Sequence, residues 1–196
     1  MEQPDGTLGA NRVPLDVYTD EARLAALELA GRENADLLAT RGYALPGAAD
    51  ALRFLGQQPA VIQSVLTGNI EANARVKLAA FGLVPWIDFT VGGYGETYAE
   101  RGMLVAVARR KAAQRYGFDP VKDVTIVIGD TVRDVEAGLF GGAKVIGVAT
   151  GDQSPAELLR AGAHEALAGL SDLNALTAAI SRVSGISVAP PTVQSL

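Results

Sequence analysis

Thr125-Ile126-Val127-Ile128-Gly129-Asp130-Thr131-Val132-Arg133-Asp134 decides the reading of this chain. Its β-branched run has the character of a strand buried on both faces of a parallel sheet. Gly129 and Asp130 stand at the carboxyl end of that strand, where open α/β sheets bind their ligands. Asp134 follows about one turn into the next helix, so the two carboxylates can converge on one point. Two acidic oxygens suit a hard cation such as Mg²⁺, which also takes water and substrate phosphate. The same residues read equally well as a strand followed by a helix that Asp130 or Thr131 caps. Alone, the segment leaves both readings open.

A second strand end weighs toward the metal. Ala60-Val61-Ile62-Gln63-Ser64-Val65-Leu66 is mostly apolar and runs into Thr67-Gly68-Asn69. A hydroxyl, a glycine and the free N–H groups of a following helix would face outward together there, and a helix start with its dipole favours an anion. Thr67 or Asn69 as a plain cap for a helix from Ile70 is the alternative. Acidic groups on one strand end and anion donors on another, in one sheet, suggest a phosphate bridged to a metal.

Outward from these segments, strands and helices alternate. The apolar spacing predicts a helix from Asp20 to Gly42, one from Pro46 through Leu55, a strand over 60–66 and a helix ending before Gly82. Phe89-Thr90-Val91 reads as a short strand closing in the turn Gly92-Gly93-Tyr94-Gly95. A long helix over 98–116, strand 124–128, helix 132–139, strand 144–148 and helices 154–161 and 171–182 complete the pattern. Such alternation implies an α/β fold, a Rossmann-like parallel sheet with helices on both faces. Residues 1–44 divide into an irregular start and a short helical cap, 45–183 form the α/β core, and 184–196 read as a loose tail.

Composition narrows the function. Hydrophobic residues make up 48% of the 196, enough for one sizeable core. The formal net charge of −5 argues against a nucleic-acid footprint, which needs a basic face. No apolar run approaches the roughly 18 residues of a membrane span, and Met1-Glu2-Gln3-Pro4 opens no signal peptide. The absence of cysteine excludes disulfides and thiolate chemistry and fits a cytoplasmic location. His164 is the sole histidine and lies in Ala161-Gly162-Ala163-His164-Glu165, which reads as a turn after a helix rather than as the seat of a general base.

Ser64-Val65-Leu66-Thr67-Gly68-Asn69 and Gly129-Asp130-Thr131-Val132-Arg133-Asp134 together resemble the second and fourth motifs of the haloacid dehalogenase (HAD) superfamily, in its phosphoglycolate-phosphatase-like branch. Pro46-Gly47-Ala48 opens a helix as in that family, and Gly141-Gly142-Ala143-Lys144-Val145-Ile146-Gly147-Val148 is similar to its last core strand. Ser154-Pro155-Ala156-Glu157-Leu158-Leu159 followed by Ala161-Gly162-Ala163 is also familial. The resemblance covers about residues 20–182. It implies a Mg²⁺-dependent phosphatase acting on a small phosphorylated metabolite through an aspartyl-phosphate. By the same resemblance Asp130 and Asp134 hold the metal, and Thr67, Gly68 and Asn69 bind phosphate. Arg101 stands where the family places a lysine; it keeps the charge and can grip phosphate through two N–H groups. Arg109-Arg110-Lys111 reads as a solvated face. Tyr94, Glu96 and Tyr98 are candidates for a substrate entrance.

One element departs from the family. Asp5-Gly6-Thr7-Leu8 matches the second half of the nucleophile motif, but Gln3 stands at the nucleophile's own position and no strand precedes it. An amide cannot accept a phosphoryl group as a carboxylate does. We read Asp5-Gly6 as an ordinary turn and expect the first strand, the nucleophile and part of the cap to lie upstream of Met1. The rival expectation is an inactive or fragmentary HAD-like protein that binds phosphate or a partner. A central strand missing from a parallel sheet would leave exposed edges through which the chain could self-associate.

Overall fold

Among the described residues, two parallel ladders that share no strand carry the fold. The structure is a computed structural model and describes residues 20–96 and 101–188. In the first ladder β1 (Leu66–Thr67) pairs with β2 (Gly93–Tyr94). In the second, β3 (Ile126–Gly129), β4 (Lys144–Val148) and β5 (Glu165–Leu167) lie in that order. Around them pack α1 (Asp20–Glu33), α2 (Ala35–Arg41), α3 (Ala48–Gly56), α4 (Glu71–Ala79), α5 (Arg101–Tyr116), α6 (Val132–Phe140), α7 (Pro155–Arg160) and α8 (Leu173–Ser184). The architecture is the expected α/β class, parallel strands with covering helices.

The elements differ from the sequence reading in instructive places. The helix expected from Asp20 to Gly42 breaks at Asn34, whose side-chain amide donates to the carbonyl of Ala30 at 2.7 Å. Asparagine competes locally for backbone groups and so favours helix ends over interiors. Phe89–Val91 is a 3-10 turn and not a strand, because Asp88 Oδ1 accepts the Thr90 N–H at 2.8 Å and caps it. The ladder moves on to Gly93–Tyr94, inside the stretch read as a turn. β5 is an addition: the residues after Gly162 leave the turn and join β4, with His164 N donating to Val145 O at 2.9 Å.

The segment leading into β1 matters most. Only Leu66–Thr67 of the expected strand over 60–66 enters a ladder. Upstream, Asp88 N donates to Gln63 O at 2.8 Å and Gly93 N to Val65 O at 2.9 Å, so pairing recurs at every second residue on one side. Asp88 anchors this side further. Ser64 Oγ donates to its carbonyl at 2.6 Å, and its carboxylate takes the Tyr116 hydroxyl and sits 3.5 Å from the Arg115 guanidinium. Burial raises its pKa, but hydrogen bonds from Thr90 and Tyr116 outweigh that and hold it below the usual aspartate value.

The core has faces set by β4. Ile146 joins Ala51 and Leu55 of α3, Leu167 of β5, and Leu176, Ala179 and Ile180 of α8 in one cluster. Its neighbour Val145 joins Val135 of α6 and Leu158 of α7 in another. Adjacent strand residues point to opposite faces, so α3 and α8 cover one face and α6 and α7 the other. A smaller cluster of Ala74, Phe89 and Tyr94 serves the first ladder. Helix α5 packs against β1, β2 and α6 alike.

Candidate functional site

At the end of β3 the chain turns straight into α6. A Cβ on Gly129 would fall 2.4 Å from Asp134 Cβ, so the close return of the helix over the strand end needs glycine here. Thr131 caps α6: its hydroxyl accepts the Asp134 N–H at 3.2 Å, while Asp134 Oδ2 accepts Thr131 N at 3.1 Å and Thr131 Oγ1 at 2.7 Å. This reciprocal box satisfies two orphan helix donors. Asp134 Oδ1 accepts Arg101 Nη1 at 2.9 Å. Three of the roughly four lone-pair sites of its carboxylate are thereby filled.

Asp130 is the contrasting group. It is half-buried, stands just before the positive end of α6, and has no hydrogen-bond or ion-pair partner among the described residues. Its Oδ2 lies beside Gly151, 3.3 Å from where a Cβ on that residue would sit. Of the two aspartates expected to share a cation, Asp130 is the one with an open carboxylate, and Asp134 is tied to Thr131 and Arg101.

The other strand end forms its own turn. Thr67 Oγ1 accepts from Asn69 N at 3.1 Å and from Asn69 Nδ2 at 3.0 Å, which leaves the threonine proton free to be donated. The exposed amide of Gly68 donates to nothing among the described residues. Gly95 presses on this loop, with its N–H on Asn69 O at 3.0 Å and no room for a Cβ, which would stand 2.1 Å from Gly68 O. The structure thus brings Arg101, Asp130 and Asp134 to the β3 end and Thr67, Gly68 and Asn69 to the β1 end. No hydrogen bond links the two groups among the described residues.

Several roles were hidden from sequence. Arg109 is no solvated residue: its Nε donates to Thr125 Oγ1 at 2.8 Å, Nη1 to Gly141 O at 2.9 Å and Nη2 to Gly142 O at 2.8 Å. Lys111 donates to Gly92 O at 2.8 Å and lies over the Tyr94 ring. Tyr94 lines no entrance. It is buried, its hydroxyl donates to Phe89 O at 2.8 Å, and burial, then the nearby Glu71, push its pKa upward. Glu96 accepts the first N–H of α4, from Glu71, at 2.9 Å and borders a cavity of about 320 Å³ with Leu24, Glu28, Ile70 and Arg75. Gln3, Asp5 and Tyr98 lie outside the described residues.

His164 is exposed, as expected, yet its Nδ1 accepts the Val145 N–H at 3.2 Å. Burial, then the Lys144 ammonium, hold its pKa below the usual histidine value.

Known proteins share this fold. No protein curated for its function matches the chain. Among solved structures, a hydrolase from Pseudomonas syringae is 23% identical with a TM-score of 0.60, over 85% of this chain and 75% of that one. A conserved haloacid dehalogenase-like protein of unknown function from Agrobacterium tumefaciens is 21% identical with a TM-score of 0.57, over 80% and 70%. A HAD family hydrolase from Deinococcus radiodurans, solved with bound phosphate and sodium, is 24% identical with a TM-score of 0.51, over 85% and 76%. These likenesses are likenesses of fold. A HAD-hydrolase-like family model matches residues 101–176. The haloacid dehalogenase-like hydrolase family model matches residues 12–138, well over half the chain, and with the parallel α/β fold this makes the protein a member of the haloacid dehalogenase-like hydrolase family.

Proposed function

We propose that the protein is a Mg²⁺-dependent phosphoric monoester hydrolase of a small phosphorylated metabolite. The observation that carries this reading is the open carboxylate of Asp130 at the end of β3, beside the Arg101–Asp134 pair. Mg²⁺ is bound through one or two carboxylates together with water and substrate phosphate. Asp130 offers a direct ligand, and the remaining lone pair of Asp134 can hold a metal-bound water. Among the described residues no three His, Cys, Asp or Glu side chains gather into a metal cluster. Bound there, the cation would neutralise charge on the phosphoryl oxygens. Thr67 donates its proton and Gly68 its amide to the phosphate, and Arg101 adds a cationic N–H to it while orienting Asp134. The phosphate reported in the Deinococcus protein supports an oxyanion ligand. The nucleophile of the aspartyl-phosphate route has no assignment among the described residues.

A second reading, a phosphate-binding protein without turnover, is favoured by the split sheet. Among the described residues the two strand ends belong to different ladders, and no hydrogen bond joins the phosphate donors to the acidic groups.

Hydrolysis of a generic aryl phosphate and binding of inorganic phosphate, each with and without Mg²⁺, distinguish the two. We expect Mg²⁺-dependent turnover that falls at least about a hundredfold in Asp130→Asn, since a neutral ligand replaces an anionic one. Thr67→Ala should lose about tenfold, one charge-assisted hydrogen bond. Phosphate binding without turnover would establish the second reading. Neither binding nor turnover, or full turnover in Asp130→Asn at limiting Mg²⁺, would remove both.

A further inference from the structure

The loop from β4 to α7 borders the β3 end and is fixed at both of its own ends. Ala149 N donates to Leu167 O at 2.8 Å, and Ser154 N and Oγ both donate to Glu157 Oε2, at 2.8 and 2.7 Å. Between these anchors Gly151 stands beside Asp130 Oδ2. Two residues on, the half-buried Gln153 reaches the start of α6, where its Oε1 accepts the Val132 N–H at 3.3 Å. Only the oxygen of a side-chain amide can accept from an N–H, so this bond also fixes which way the amide is turned. Nε2 keeps two protons to donate and meets no acceptor among the described residues.

The choice of an amide has a chemical consequence. At α4 and α8 the comparable bond goes to a carboxylate: Glu96 accepts Glu71 N at 2.9 Å and Asp172 accepts Ala175 N at 2.9 Å. A carboxylate accepts and has nothing to pass on. At α6, Thr131 N and Asp134 N are spent inside the capping box, and the Val132 N–H runs into a group that can donate again. Hydrogen bonds in series polarise one another, and the helix start carries the positive end of its dipole. N–H groups of a first turn point out of the helix toward whatever lies ahead of it. Gln153 therefore carries the start of α6 one amide further out, at the strand end where the Asp130 carboxylate is open.

We propose that Gln153 is a phosphoryl-binding residue: held at its oxygen by Val132, it donates an amide N–H to a phosphoryl oxygen beside Asp130. The inference rests on the phosphatase reading and gives the acidic side of that site a donor of its own, since Arg101 there is engaged by Asp134. A neutral donor suits the place. A lysine or arginine would claim the Asp130 carboxylate as an ion pair, whereas a neutral amide bonds a carboxylate more weakly and leaves it to the cation.

The full chain is titrated with Mg²⁺, with inorganic phosphate and with both. Proton–nitrogen NMR spectra follow the Gln153 side-chain amide, and calorimetry gives the affinities. We expect the Nε2 protons to shift when phosphate is added with Mg²⁺. Phosphate should bind about tenfold or more weakly to Gln153→Met, which fills similar space without a donor. Gln153→Glu asks a different question. Its carboxylate accepts the Val132 N–H and favours the helix start, so a residue that merely props the loop would be replaced without loss. For a donor, phosphate binding falls about tenfold or more while the urea midpoint stays at the parent value or rises. Gln153→Met separates the lost donor from repulsion by the added charge. A side-chain amide that phosphate leaves unmoved, phosphate affinity in Gln153→Met within about twofold of the parent, or no phosphate binding by the parent would each overturn the proposal. Mg²⁺ alone, followed at the Asp130 amide, judges the metal reading apart from it. A shift there with Gln153 unmoved by phosphate refutes the Gln153 role only; phosphate that moves Gln153 with no response to Mg²⁺ keeps that role and removes the metal.

Discussion

His164 shows how a solitary ionisable residue couples to the fold. Its Nδ1 must be unprotonated to accept the Val145 N–H, so the neutral ring is the one the structure uses. With the folded pKa held below the ordinary histidine value of 6.5, the unfolded chain takes up the proton first. The stability His164 contributes is therefore present above pH 6.5 and is lost as pH falls through the lower folded value. Urea midpoints measured between pH 8 and 5 should decline in the parent and decline less in His164→Gln, which keeps an acceptor without a titration in this range. An identical slope in both proteins would assign the decline elsewhere.

Helix α5 illustrates what an element can hide. Arg109→Ala removes bonds to Thr125, Gly141 and Gly142 at once and leaves the half-buried Thr125 hydroxyl and Gly141 carbonyl without this donor. A loss of about 2 kcal/mol in unfolding free energy is expected, against less than about 0.5 kcal/mol for its exposed neighbour Arg110→Ala. Denaturant titration of both variants checks this. The sequence could not separate these two residues, because a local cluster of positive charge looks alike whether its members reach carbonyls far along the chain or water. What it did disclose were strand ends: Thr67 and Asp130 each follow a β-branched run and precede a helix, and periodicity reports that directly. It failed where a ladder depends on its neighbour. Residues 60–66 have strand composition throughout, but a ladder forms only where a second strand arrives, at Leu66–Thr67. Glu165–Leu167 escaped for the opposite reason: a short run beside glycines becomes a strand because β4 offers an edge.

At the scale of the molecule, the two ladders have unequal support. The second is held between clusters on both faces, while the first rests on the small cluster of Ala74, Phe89 and Tyr94 and on two rungs. Trp86, the only tryptophan, lies on the weaker side, with its carbonyl bound by the Gln63 amide at 3.2 Å. Its fluorescence should therefore change at lower urea than the far-UV circular dichroism, which reports all helices. Coincident transitions would show that α3 and α5 weld the halves into one cooperative unit.

One helix ties the two ladders together through its long side chains. Arg101 and Arg109 of α5 reach to Asp134, Gly141 and Gly142 on one bank, and Lys111, Arg115 and Tyr116 of the same helix reach to Gly92 and Asp88 on the other. This helix acts as a tie bar between two rails, gripping each with its own set of arms. Trimming an arm such as Lys111 unties the helix from one rail and not the other, so α5 would keep its hold on the β3 side while loosening from the β1 side.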